Sequence, residues 1–268
     1  MNLPTNLAYR TDFIFHRHEG VIEEHADYWV VRTPENPTFW FGNFVLFKQA
    51  PDEKTTVSAW LKVHDAVFNG SLNHRIFGWD GEIEGNVKPF LDAGFVTSNG
   101  IALKMEALSS QAATNPDVNV RKIETAEAWD DVHQQQMLVD RVDFKYPEDG
   151  GVFRGNQIAS YRTLSDAGRG NWWGAYDGNK LIGNMGLFFD ELKRVGRFQN
   201  VSTHPDHRRQ RVCTTLLHHI VNHAFHEIGA KELVICTGDD DDNAAIPTYQ
   251  NFGFKFTAPH YALKRITP

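Results

Sequence analysis

The chain has 268 residues, of which 41% are hydrophobic and 23% are charged, and its formal net charge is −7. This length fits two domains of ordinary size better than one, and the composition is that of a globular protein. The acidic balance excludes a dedicated nucleic-acid binder, because such proteins carry a basic excess. The chain has only 2 cysteines, no apolar leader and no bilayer-length apolar stretch, which predicts a cytoplasmic protein with no membrane partner.

The first half of the chain alternates strand and helix patterns. Apolar and aromatic runs predict strands over 27–33, 39–47 and 74–80. Residues 55–68 place five large side chains on one helical face, and 87–95 predict a short helix followed by a strand.

The second half has a clearer alternation of periods. Strands are predicted at 120–123, 197–203 and 232–237, and a hairpin is centred on the Asp-Gly-Asn turn at 177–179. Helices are predicted over 125–142, 156–167, 212–228 and 244–251, and two closing strands follow. Small polar residues fill 108–119, which predicts a domain boundary there and domains at 1–110 and 119–268.

A short internal repeat indicates duplication. FLDAGF at 90–95 matches YQNFGF at 249–254 in its aromatic, glycine and final phenylalanine, and Ala-Leu-Lys follows each at 102–104 and 262–264. The predicted elements before the two segments also agree in order. We therefore predict two copies of one fold in the chain.

The segment HPDHRRQRVCTTLLHHI at 204–220 resembles an anion-binding turn. A strand ends at Thr203, a proline-bearing turn follows, and a helix begins near Arg211. The unpaired N–H groups of a helix start lie at the positive end of its dipole and suit an anion. Arg208 and Arg209 add positive charge there, although a basic and solvated helix start is the alternative explanation.

This segment resembles the phosphate loop of the GNAT (GCN5-related N-acetyltransferase) family, Arg/Gln-x-x-Gly-x-Gly/Ala. In addition, the segment Asn243 to Phe254 resembles the family's Asn…Tyr-x-x-x-Gly-Phe pattern, and NVSTHP resembles its splayed strand. The resemblance covers about residues 120–268 and implies acetyl-CoA as acyl donor, with a first half that is a related copy without a phosphate loop. The cofactor-binding residues that it implies are Val201, Ser202, Thr203, Arg208, Arg209, Gln210, Arg211, Val212, Cys213, Thr214 and Asn243.

Arg211 and Cys213 depart from the family pattern, because they replace its first glycine and its last small residue. A residue that enters a helix is expected to have negative φ, which arginine tolerates. On that expectation Arg211 keeps its amide and removes only clearance for the ligand, unless its guanidinium itself grips a phosphate.

Two catalytic residues are predicted, one from the resemblance and one from its position at the end of the central strand. Tyr249 falls on the family's tyrosine and is predicted to be the general acid that protonates the leaving thiolate, although core packing is the alternative. The central strand offers Gln199 and Asn200 where many relatives have a glutamate base. His204, at the end of that strand, is the candidate base, with a base acting through water as the alternative.

Six histidines between 204 and 226 have spacings compatible with a metal, but no carboxylate or cysteine is obviously placed with them, and we predict no metal site. The sequence thus predicts an α/β fold of two GNAT-like domains, each with a mixed, mostly antiparallel sheet flanked by helices. The predicted activity is transfer of an acetyl group to the amine of a small molecule, a lysine or a peptide N-terminus. Aromatic residues such as Trp40, Phe41 and Trp172 are candidates for lining the acceptor pocket. A non-catalytic acyl-CoA-binding protein and an interaction module unrelated to CoA are the alternatives.

Overall fold

The computed structural model describes residues 2–108, 112–143, 151–240 and 243–266. The chain divides into two compact units. The N-terminal unit contains residues 1–102, 236–243 and 256–268, and the C-terminal unit contains 103–235 and 244–255. Segments of the two units therefore alternate along the sequence. The domain bounds predicted from the sequence stay a prediction.

Helices and strands alternate along both units. The described residues hold no helix that is long and apolar enough to cross a membrane. In chain order the elements are α1 (Leu7–Glu19), β1 (Val21–Glu24), β2 (Tyr28–Arg32), β3 (Phe44–Phe47), α2 (Val57–Phe68), β4 (His74–Trp79), α3 (Lys88–Asp92), β5 (Val96–Thr97), β6 (Gly100–Met105), β7 (Asn119–Lys122), α4 (Ala126–Asp143), α5 (Gly151–Asp166), β8 (Gly170–Asp177), β9 (Lys180–Phe189), β10 (Val195–Thr203), α6 (Val212–Asn222), a π-helical segment (His223–Ile228), β11 (Glu232–Gly238), α7 (Ala245–Phe252) and β12 (Lys255–Ile266).

The sheet of the N-terminal unit has the order β1-β2-β3-β4-β12, and β5 also pairs with β12. All these pairs are antiparallel except β3–β4, which are parallel and connected by α2. An aromatic cluster fills the core beside this parallel pair, with Trp60 stacked on Phe47 at 3.9 Å between ring centroids and tilted against Phe90 at 4.9 Å. The β3–β4 ladder reaches Phe47 and Trp79, the last residue of each strand. This unit therefore has the predicted order of elements. Its two parallel strands stay paired to their last residues, and aromatic rings pack beside them.

The sheet of the C-terminal unit has the order β7-β8-β9-β10-β11. It too is antiparallel except for one pair, β10–β11, which are parallel and connected by α6. Both units thus confirm the predicted fold class, a mixed and mostly antiparallel open sheet flanked by helices.

The two repeated hexapeptides end helices in the same way. Gly94 and Gly253 follow α3 and α7 with φ of +83° and +117°, a region that glycine enters without steric cost. Phe95 and Phe254, the next residues, are both 2% exposed. The equivalence of these segments supports the predicted duplication.

Several sequence-based expectations were wrong in detail. Helix α1 was not predicted, because its buried residues are mixed with histidines and arginines and the apolar period is weak. The segment 39–47 contains a 3₁₀ turn at Trp40–Gly42 before its strand. One long strand, β12, ends the chain where two were expected, and the predicted helix 212–228 changes to π-helical geometry at His223.

Candidate active site

A tight loop joins β10 to α6. His204 opens a 3₁₀ turn at Pro205–His207, and its Nδ1 accepts a hydrogen bond from the Asp206 amide at 3.3 Å. Arg209 and Arg211 then both have left-handed backbone, with φ of +57° and +62°. Left-handed residues in a turn can direct neighbouring amides toward one side, as in anion-binding nests.

The conformation of Arg211 corrects the sequence-based argument. Arg211 is the N-cap of α6, with φ +62° and ψ 18°, so the expected negative φ was wrong. Its side chain is exposed and makes no capping hydrogen bond. A non-glycine residue pays about 1–2 kcal/mol in this region, because Cβ approaches the carbonyl oxygen. Arg211 therefore strains the backbone as well as reducing clearance above the loop.

The loop presents donors that the described protein atoms do not use. Within the described ranges, no hydrogen-bond acceptor lies against the backbone amides of 209–213, the last turn of the loop and the start of α6. The first amides of a helix lack carbonyl partners by geometry and, together with the helix dipole, favour a negatively charged ligand.

Residues that sequence reasoning missed brace this loop. Asn115 donates from its side chain to the Gln210 carbonyl at 3.0 Å, and its amide donates to the Thr215 hydroxyl at 2.9 Å. Thr214, a predicted cofactor contact, lies within hydrogen-bond distance of the carbonyls of Arg211 and Ala113. Asn115 lies in the small polar segment 108–119 that was predicted to be a domain boundary, so nothing in its local sequence indicated this contact.

Two predicted ligand contacts are engaged with the protein itself. Asp143, at the end of α4, accepts two hydrogen bonds from the Arg208 guanidinium, at 3.0 and 2.7 Å. The Gln210 side chain donates to the Asp206 carbonyl at 3.1 Å. Arg208 is therefore held by a carboxylate from a helix more than 60 residues earlier in the chain, a partner that local sequence does not reveal.

Strand β10 bulges and separates from β11. Its register with β9 passes from Gln199–Gly186 to Ser202–Asn184, so that Asn200 and Val201 together oppose one residue of β9. Asn200 has φ +44°, and bulges of this kind bend a strand and increase its twist. The parallel ladder with β11 joins Val195–Arg197 to Glu232–Val234, whereas β10 continues to Thr203. The bulge thus sets the direction of the backbone at 200–203. The hydroxyl of Ser202 is buried and has no hydrogen-bond partner among the described residues.

A buried polar network holds the bulge from the side of α4 and α5. The Gln136 amide nitrogen donates to the Asn184 side-chain oxygen at 3.0 Å and to the Asn200 carbonyl at 3.2 Å. Trp172 donates to the same Asn184 oxygen at 3.0 Å. Asn200 donates from its own side chain to Gln157 at 3.1 Å. Trp172 and Asn184 are fully buried, so the suggestion that Trp172 lines a pocket was wrong.

The same network contains a buried ion pair. Arg154 binds Asp140 through two hydrogen bonds, at 2.8 and 2.6 Å, and also contacts Gln157. Burial of a charged pair is tolerated only when its hydrogen bonds are satisfied, and here the guanidinium has three. The ion pair therefore anchors Gln157, which binds the bulge residue Asn200.

Tyr249 lies on α7 and is 5% exposed. Burial, with the nearby Cys213 thiol as a smaller cause, raises the pKa of Tyr249 well above its ordinary value. Burial also raises the pKa of the Cys213 thiol to about 12. Because desolvation disfavours the charged form of both groups, Tyr249 and Cys213 are neutral near pH 7. A neutral phenol can donate a proton or a hydrogen bond.

His204 lies beside a cavity of about 510 Å³ that is lined mainly by α4 and the start of β9. Burial, followed by the neighbouring Lys180 ammonium, lowers the pKa of His204. Since Nδ1 accepts the Asp206 amide, the neutral ring carries its proton on Nε2. In this arrangement the lone pair that a general base needs is already used.

The remaining residues considered from the sequence are Asn243 and the six histidines. Asn243 belongs to the N-terminal unit, where its side chain donates to Thr237 at 2.8 Å and to the Gly238 carbonyl at 2.9 Å. The other predicted cofactor residues and Tyr249 all belong to the C-terminal unit. Across the described ranges, no group of three or more His, Cys, Asp or Glu residues is arranged to hold a metal ion.

Comparisons with known proteins identify similar sequences and folds. Residues 135–254 match the model of the acetyltransferase (GNAT) family. No curated protein matches the chain. Among solved structures, the chain is similar to a conserved protein of unknown function from Staphylococcus epidermidis, with 16% identity and a TM-score of 0.71 over 92% of this chain and 93% of that one.

Two further solved structures have informative descriptions. A GCN5-related N-acetyltransferase from Kribbella flavida has 15% identity and a TM-score of 0.66 over 97% of this chain and 96% of that one. A tandem GNAT protein from the clavulanic acid biosynthesis pathway has 12% identity and a TM-score of 0.54 over 90% and 82% of the two chains. At these identities the likeness establishes the fold alone. Residues 135–254 are therefore similar to the acetyltransferase (GNAT) family, and the chain, including its N-terminal region, has a GNAT-like fold.

Proposed function

We propose that the protein is an acetyl-CoA-dependent N-acetyltransferase that moves an acetyl group directly to a primary amine. The match of residues 135–254 to the acetyltransferase (GNAT) family model supports acyl transfer in general. The observation that carries the finer proposal is the loop between β10 and α6, whose amides have no acceptor among the described residues.

The residues present fit a phosphorylated cosubstrate. The amides of 209–213 and the Arg209 side chain would bind its pyrophosphate, and the backbone of Val201 and Thr203 would lie along its pantetheine arm. The buried hydroxyl of Ser202, for which the described part of the chain offers no hydrogen-bond partner, is a further polar group on the same strand. Acetyl-CoA would supply an activated thioester carbonyl to this site.

The chain's own groups then have distinct tasks. A backbone amide at the bulge would donate to the thioester oxygen, where negative charge develops as the amine attacks. Tyr249 would donate its phenolic proton to the sulfur as the carbon–sulfur bond breaks. Its raised pKa keeps the phenol protonated near pH 7, so the proton is available when the carbon–sulfur bond breaks.

The general base is the less constrained part of the proposal. His204 can accept a proton from the amine only after Nδ1 releases the Asp206 amide, or through a shift of its ring proton. The bond in question is long, at 3.3 Å, so its loss costs little. A base acting through water is the alternative.

Ligand-dependent unfolding tests the cosubstrate. A ligand at a hundred times its Kd stabilises a protein by about 2.7 kcal/mol, which is several degrees of Tm at this size. We expect such a shift with acetyl-CoA and CoA, and turnover of acetyl-CoA with at least one amine from a library of polyamines, amino acids and lysine peptides. Binding without turnover would favour the alternative, a non-catalytic acyl-CoA-binding protein. No shift with CoA, acetyl-CoA or longer acyl-CoAs would refute the proposal.

A further inference from the structure

We infer that Gln136 is a positioning residue: it sets the orientation of the Asn200–Val201 peptide and so aims the Val201 N–H at the thioester carbonyl. The inference rests on the proposed function and goes beyond it, because it assigns the aim of the backbone donor to one side chain of α4.

The orientation of the Gln136 amide is determined by its partners. Both atoms that it contacts, the Asn184 side-chain oxygen and the Asn200 carbonyl, accept hydrogen bonds, at 3.0 and 3.2 Å. A carbonyl has no proton to donate, so the contacting Gln136 atom is the nitrogen, and each of its two hydrogens has one acceptor. Trp172 donates to the same Asn184 oxygen at 3.0 Å, which identifies that atom as the acceptor.

The bond to Asn200 determines the direction of the next amide. In a planar trans peptide the C=O of one residue and the N–H of the next point in opposite directions. Gln136 draws the Asn200 carbonyl toward α4, so the Val201 N–H points away from α4. Asn200 and Val201 are the two bulged residues, so this peptide has more rotational freedom than one held in a regular ladder.

The side chain of Asn200 makes further contacts that restrain the same peptide. Asn200 donates to Gln157, which in turn is held by the buried Arg154–Asp140 pair. Gln136 itself is 4% exposed, so water does not compete for its hydrogen bonds. A buried and fully satisfied donor on a rigid helix is the kind of support that keeps an oxyanion donor preorganised.

The test uses ¹⁵N-valine protein, because valines stand at both informative positions. The change in the Val212 amide chemical shift on adding CoA reports binding of CoA in the loop. The difference between the Val201 amide chemical shifts with acetyl-CoA and with CoA reports the acetyl group. Gln136→Met removes the donor at similar volume, and Gln134→Met, exposed on the same helix, is the matched control. If Gln136→Met does not fold, Gln136→Asn replaces it, since it keeps an amide but is one methylene too short.

We expect Gln136→Met to retain the Val212 response and to lose at least half of the Val201 difference, with Gln134→Met unchanged. With an amine found in the library screen, kcat should fall by about 10-fold or more while the KM for acetyl-CoA stays within about 2-fold. An unchanged Val201 difference, or parallel losses at Val201 and Val212, would overturn the inference. Absence of any Val212 response in the wild type would instead overturn the proposed function on which the inference rests.

Discussion

Replacing Arg211 with glycine should stabilise the protein even before any ligand is added. Arg211 is held at φ +62°, where a side chain costs about 1–2 kcal/mol and glycine costs nothing. Glycine also enlarges the conformational freedom of the unfolded chain, which lowers the gain by about 0.4–1 kcal/mol. The difference is a net stabilisation of about 0.8 kcal/mol, or about 2 °C in Tm for a chain of this size.

Arg211→Ala is the matched control, because it removes the guanidinium but keeps Cβ. The Arg211 side chain is exposed and caps nothing, so alanine should leave stability within about 0.5 kcal/mol of wild type. Urea titration of the three ligand-free proteins measures these differences. Equal stabilities for the glycine and alanine variants would refute the argument from backbone strain.

Calorimetric titration with CoA then separates the two roles of the side chain. If Arg211 only limits approach to the loop amides, the glycine variant should bind CoA more tightly than both other proteins. If its guanidinium holds a phosphate, both variants should bind more weakly by about 1.5–3 kcal/mol, and added salt should narrow that loss. We expect the first result, because Arg209 already supplies positive charge to the same loop.

Three more outcomes follow from the described contacts. Tyr249→Phe should lower kcat about 100-fold with little change in the Kd for CoA, and wild-type turnover would assign Tyr249 to packing alone. Asp143→Asn releases Arg208, so at low salt the variant should bind CoA more tightly than the wild type by about 0.5 kcal/mol, and at high salt the two should bind it equally. Calorimetry that gives equal affinities for the two proteins at low salt would contradict this. Burial lowers the pKa of His64 to about 4. Because the unfolded state then takes up the proton first, stability present above pH 6.5 should be lost as the pH falls toward 4, by at most about 3 kcal/mol. In the His64→Leu variant, the free energy of unfolding measured by urea titration should depend less on pH between 6.5 and 4. An unchanged pH dependence would show that other groups cause the loss of stability.

Local sequence was sufficient for the elements whose signals are short-ranged. The Asp-Gly-Asn turn specified the β8–β9 hairpin, because only small or turn-forming residues adopt its backbone. The apolar run 232–237 specified a buried strand, and the alternation of strand and helix after residue 119 indicated the fold of the second half. The proline turn, Arg208 and Arg209, and the Tyr-x-x-x-Gly-Phe spacing located the candidate loop and Tyr249.

Tertiary structure decided everything that depends on partners far away in the chain. The bond from Gln136 to the bulge, the capture of Arg208 by Asp143 and the bracing of the loop by Asn115 each join residues more than 60 positions apart. The left-handed backbone of Arg211 and the pairing of β12 with β4 are also non-local, because the surrounding contacts impose them against local preference. Local propensity determines which element forms, whereas a strained φ or a buried amide persists only where distant contacts offset its cost.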